Sequence, residues 1–89
     1  MSLEGSTNTP TEDWEGYLGE QFRAIRIRAN LEQLELAERA GVSVGALKNL
    51  EGGKGSSVKT LIKVARALGR TDWLEALAPK VSVSPMQLL

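Results

Sequence analysis

The chain has no cysteine and no histidine among its 89 residues. Disulfides, thiolate or imidazole metal sites, and catalysis by a cysteine nucleophile or a histidine base are therefore excluded. Carboxylates remain, but they are scattered along polar helix faces and suggest no acid–base pair. An enzyme has nothing to stand on here, and no cofactor is expected. No apolar run approaches the roughly 20 residues that cross a bilayer, and the first residues lack the basic-then-apolar order of a signal peptide. A soluble, cytoplasmic protein with no membrane partner is the expectation. Net charge is missing as well: eleven basic side chains balance eleven acidic ones. That balance argues against a nucleic-acid partner, because neutralising phosphates drives most DNA binding.

The distribution of charge reverses the argument. Residues 19–70 carry ten basic groups against five acidic ones, a net +5, and the remainder carries −5. A basic centre flanked by acidic ends is the asymmetry expected of a domain that meets a polyanion, although an excess of this size is also what a solvated surface carries. With 42% apolar residues in so short a chain, there is material for one small core.

Residues 1–8 are polar and rich in Gly, Ser and Thr, and read as a disordered N-terminal tail. A single domain is expected over residues 9–79. Thr9-Pro10-Thr11-Glu12 has the form of a capping-box start, with Thr9 as N-cap, and Trp14, Leu18, Phe22, Ile25 and Ala29 recur at helical spacing behind it. Gly16 and Gly19 weaken the early part, leaving open whether this helix is continuous from Pro10 or firm only from Tyr17. A second helix is expected over Gln33–Ala40, burying Leu36, Ala37 and Ala40, with Gly41 as a left-handed cap. Ser43 caps a third over Val44–Leu50, with Leu47 and Leu50 inward and Gly52-Gly53 ending it. Ser57 caps a fourth over Val58–Leu68, burying Leu61, Ile62 or Ala65, and Leu68. Thr71 or Asp72 opens a short fifth helix with Trp73, Leu74 and Leu77 inward, stopped by Pro79. Residues 80–89 form an apolar C-terminal tail that alternates like a half-buried strand at Val81–Ser84 and is a candidate dimer or partner contact. The fold class is all-α: a compact bundle of about five helices with an extended tail.

The informative constellation lies between the second and third helices. Two short helices meeting steeply need a small residue at the crossing, a φ-permissive residue in the turn and an apolar plug beneath it. Ala37, Gly41 and Val42 fill these roles at fixed spacing. Any helical corner would want some of this, so the force lies in their joint satisfaction.

Gln33-x-x-Leu36-Ala37-Glu38-Arg39-Ala40-Gly41-Val42-Ser43 followed by Leu47-x-x-Leu50-Glu51-x-Gly53-Lys54 resembles the Cro/repressor (XRE-like) helix-turn-helix family, over roughly Leu18 to Leu68. The resemblance implies a lambda-repressor-like fold in which Gln33 holds a DNA phosphate and Arg26 forms a buried ion pair with Glu51. It places base readout in the major groove on Ser43, Val44, Gly45, Ala46, Lys48 and Asn49. Lys48 can donate to guanine O6 and N7, and Asn49 can pair with adenine N6 and N7. Lys54, the backbone N–H groups of Gly55, Ser56 and Ser57, and the following helix N-terminus concentrate donors suited to a phosphate, with Lys59 as helper. Val44 and Gly45 depart from the family, which more often has glutamine, arginine or serine there. Gly45 costs about 1 kcal/mol against alanine within a helix; close approach to the groove and tolerance of a poor helix former both account for it.

One recognition helix reads only a few base pairs, so such domains usually act as two-fold dimers on half-sites about one helical turn, roughly 34 Å, apart. The expected function is sequence-specific double-stranded DNA binding by a small transcriptional regulator, most simply a homodimeric repressor. A narrower alternative is a resemblance to the DNA-binding antitoxins that repress their own operon and hold a HipA-type toxin partner. A third is a protein-interaction module that has lost DNA readout, favoured by the donor-poor tip Val44-Gly45-Ala46.

Overall fold

A computed structural model describes residues 8–81. Five helices follow one another: α1 (Thr11–Arg28), α2 (Gln33–Ala40), α3 (Val44–Glu51), α4 (Val58–Ala67) and α5 (Thr71–Leu77). No strand occurs among the described residues, so the all-α class holds. The proposed N-terminal tail, apart from Asn8, and the strand-like tail beyond Val81 lie outside the described residues.

Local chemistry accounts for most helix ends. Ser43 Oγ accepts from the Ala46 N–H at 3.0 Å and Ser57 Oγ from the Thr60 N–H at 3.0 Å, satisfying first-turn donors of α3 and α4. Gly41 closes α2 at φ 71°, a conformation that a side chain disfavours. The start of α2 follows a less common form: the Glu35 carboxylate reaches back to the Glu32 N–H at 3.1 Å. Glutamate is a poor N-cap by type, which hid this motif in the sequence.

The start of α1 corrects the expectation. Pro10, not Thr9, is the N-cap, and no side chain caps it. The helix is nevertheless continuous from Thr11, through both glycines. Its buried stripe is also different: Gly19, Phe22 and Arg26 are buried, whereas Trp14 and Leu18 are exposed. The apolar periodicity and the buried face are offset, because α1 lies against the polar end of α3.

The core gathers Phe22, Leu36, Ala37, Leu47, Leu50, Val64 and Ala65. Of the alternatives Ile62 and Ala65, Ala65 is the buried one and Ile62 is 38% exposed; Val64, not expected inward, is fully buried as well. Ala40 is only half-buried. Trp73 packs edge-on against Phe22, with ring centroids 5.1 Å apart, tying α5 to α1. Leu77, expected inward, is 72% exposed, since α5 makes its contact through its first turn and runs off the core.

Candidate nucleic-acid interface

The α2–turn–α3 unit presents one end of α3 and the start of α2 outward. Its rigidity comes from beneath. Arg26 Nε donates to Glu51 Oε2 at 2.7 Å and Nη2 to Glu51 Oε1 at 3.0 Å, a two-pronged pair buried between α1 and α3. Arg26 Nη1 also donates to the Leu31 carbonyl at 2.8 Å, so one guanidinium holds the end of α1, the α1–α2 connection and the end of α3. The hydrogen bond from Arg26 to Glu51 pushes the arginine pKa up against the opposing effect of burial, so the guanidinium stays charged.

Gln33 joins the same cluster. Its Nε2 donates to Glu51 Oε1 at 3.0 Å, fixing the amide at the first position of α2. One amide proton is thereby used and one remains for an external acceptor. Glu51 thus receives three side-chain bonds, and the residue expected to hold a phosphate is oriented by the pair that braces the bundle.

Along the outward face of α3 and at its N-cap, Ser43, Gly45, Lys48 and Asn49 are exposed, and Val44 and Ala46 are half-buried. The Ser43 hydroxyl accepts the capping bond and keeps its own proton free to donate. A Cβ built on Gly45 would meet nothing nearer than Ser43 Oγ at 4.0 Å. No intramolecular packing demands a glycine there, so its reason lies outside the folded domain or in simple tolerance.

The α3–α4 connection brings Lys54 and Gly55-Ser56-Ser57 to the surface beside α3. Among the described residues, the backbone N–H groups of Gly55, Ser56 and Ser57 donate to no other backbone group. They are left for solvent or an anion, together with the positive end of α4. The Ser57 hydroxyl is committed to Thr60, donating to its Oγ1 at 3.0 Å, so only its N–H is available. Lys54 and Lys59 are exposed. Lys63 instead reaches the Gly41 carbonyl at 3.4 Å, and Arg70 pairs with Asp72 at 2.9 Å and lies over the Trp73 ring.

Gly19, read from helix propensity only as a weak point of α1, has a packing role. A Cβ there would collide with the Leu50 carbonyl and stand 2.6 Å from the Glu51 carbonyl oxygen. Gly19 lets α1 lie directly on the backbone of the α3 C-terminus, which is what brings Arg26 to Glu51. The Gly16-x-x-Gly19 spacing was the available signal, masked because glycine in a helix first reads as weakness.

Among the described residues no group of His, Cys, Asp or Glu side chains is placed to hold a metal ion, and no helix is long and apolar enough to cross a membrane.

A Ser-capped helix behind a left-handed glycine turn, buttressed by a buried arginine–glutamate pair, defines a helix-turn-helix domain of the Cro/repressor type. The chain matches the helix-turn-helix family over residues 22–75 and belongs to it. It is 39% identical over 74 residues to the HTH-type transcriptional regulator PrtR of Pseudomonas aeruginosa, an alignment covering 82% of this chain and 27% of that protein. The chain thus spans about a quarter of the length of the curated relative it matches.

Proposed function

We propose that this chain is a non-enzymatic, DNA-binding module of a transcriptional regulator. The observation that carries this reading is the outward α3 face with Ser43, Lys48 and Asn49 available, flanked by Gln33 on one side and the unpaired N–H groups of Gly55–Ser57 on the other. Lys48 and Asn49 read base edges in the major groove, with Ser43, Val44, Gly45 and Ala46 lining the contact; Gln33, Lys54, Gly55, Ser56, Ser57 and Lys59 position the domain on phosphates. The relative named as a transcriptional regulator favours the same role.

In its simplest form the regulator is a cytoplasmic repressor that occludes a promoter as a homodimer. An apolar groove of about 360 Å³ between α1, α4 and α5, lined by Tyr17, Leu18, Phe22, Leu61, Trp73 and Leu77, is the surface we assign to the second copy. No residue of the proposed readout set lines it. A toxin partner of the HipA type has no specific observation in its favour. The interaction-module alternative keeps the apolar tip of α3 as its support.

Titration with duplexes selected from a random pool, at several salt concentrations, tests the reading. A steep loss of affinity between about 50 and 200 mM salt is expected. Lys48→Ala and Asn49→Ala should each cost about 1–3 kcal/mol and relax preference at one base-pair position. Absence of binding at about 50 mM salt would sink the DNA reading and leave the interaction module.

A further inference from the structure

Glu15, on the first half of α1, is a half-buried carboxylate that neither the brace nor the reading face uses. The two ion pairs among the described residues are Arg26–Glu51 and Arg70–Asp72, and no side-chain hydrogen bond involves Glu15. Its position is set by a close approach. Gly53 sits at φ 68°, and a Cβ on it would lie 2.8 Å from Gly16 Cα, so the α3–α4 connection rests directly on the α1 backbone. That contact carries Glu15 to the connection itself. Its Oε2 stands 3.6 Å from where a Gly55 Cβ would be, and it lines a small depression with Gly53, Gly55 and Ser56.

Gly55 and Ser56, with Ser57, are the residues whose free N–H groups, together with Lys54, suit a phosphate. A carboxylate beside them meets an arriving phosphate as a like charge at a distance well within the Debye length at ordinary salt. The chain therefore has a donor-rich loop and, against it, an unpaired negative charge that opposes what the loop attracts.

We infer that Glu15 is an affinity-limiting residue of the DNA-backbone contact: its carboxylate, held against the Lys54–Ser57 loop, weakens phosphate binding there. The inference rests on the DNA-binding reading above. Since phosphates carry no sequence information, the effect falls alike on all sequences.

The test compares the full chain with Glu15→Gln and Glu75→Gln, the latter removing an equal charge from the exposed face of α5. Each is titrated with one selected and one scrambled duplex of equal length across a salt series. Glu15→Gln is expected to bind both duplexes about fivefold more tightly at low salt. Its plot of log K against log salt should be steeper by up to about 1. Glu75→Gln should show less than half of that gain. An unchanged or weaker affinity for Glu15→Gln, or an equal gain for Glu75→Gln, overturns the inference while leaving the DNA reading standing. Wild-type chain that binds neither duplex overturns both.

Discussion

The two faces of α3 are built on opposite principles. The inward face, Leu47, Leu50 and Glu51, is buried, and its one charge is neutralised by Arg26 and further bonded by Gln33. The outward face, Ser43 to Ala46 with Lys48 and Asn49, is exposed or half-buried, carries the poor helix former Gly45, and has polar groups left over. One face spends its hydrogen-bonding capacity inside the protein and the other keeps it for a partner. A reading helix needs both, because a side chain on a loosely held helix loses as rotational freedom what it gains in contacts.

The contrast can be broken most severely at Glu51. Glu51→Ala strands a buried guanidinium and the Gln33 amide, and should destabilise the domain by about 3–5 kcal/mol in urea unfolding. The double change Arg26→Met with Glu51→Leu should recover most of that loss, since it removes both charges together. Because the arginine pKa is raised, its part in the pair is fully present below the ordinary arginine range and is lost only above it. Moderate alkalinity should therefore leave the brace intact, and a stability loss between about pH 8 and 10 would contradict the assignment.

Gly19→Ala attacks the inward face through shape. With the Leu50 and Glu51 carbonyls in the way, α1 must move off α3, at about 1–3 kcal/mol in the same assay. Retained stability would mean that the two helices shift apart without strain.

Gly45→Ala sharpens the outward face. There is room for the methyl group, so the free domain should gain up to about 1 kcal/mol from helix propensity. A fall in DNA affinity in this more stable variant assigns the glycine to close groove approach; unchanged affinity makes it a tolerated poor helix former.

The smallest effect belongs to an ion pair outside this contrast. The hydrogen bond from Arg70 holds the Asp72 carboxyl below its usual range. Its contribution is present above the ordinary aspartate range and fades as pH falls through the lowered value. The carboxyl is open to water, so Asp72→Asn should leave the urea midpoint unchanged within error.

Much of this was legible in one dimension. The Ser43 and Ser57 caps, Gly41 at the left-handed position and the inward pair Leu47 and Leu50 follow from local chemistry that a few neighbouring residues decide. The resemblance also pointed to Arg26 and Glu51 as partners. What could not be read were consequences of contact. Trp14 and Leu18 keep helical spacing with Phe22 and yet remain exposed; Leu77 keeps it with Leu74 and faces water. Periodicity gives a face, and only packing decides whether another element covers it.

By itself, then, the sequence determined where α3 and α4 start and where α2 turns into α3, because serine caps and a left-handed glycine act over three or four residues. It also determined the charge asymmetry and the absence of cysteine and histidine chemistry. Tertiary structure alone decided which face of α1 is buried, that Gln33 is oriented by Glu51, and that Glu15 lies against the Lys54–Ser57 loop. Each of these joins residues 18 or more positions apart, and at such separations a contact depends on how closely two backbones approach, which glycines 16, 19 and 53 set where α1 meets α3 and the α3–α4 connection.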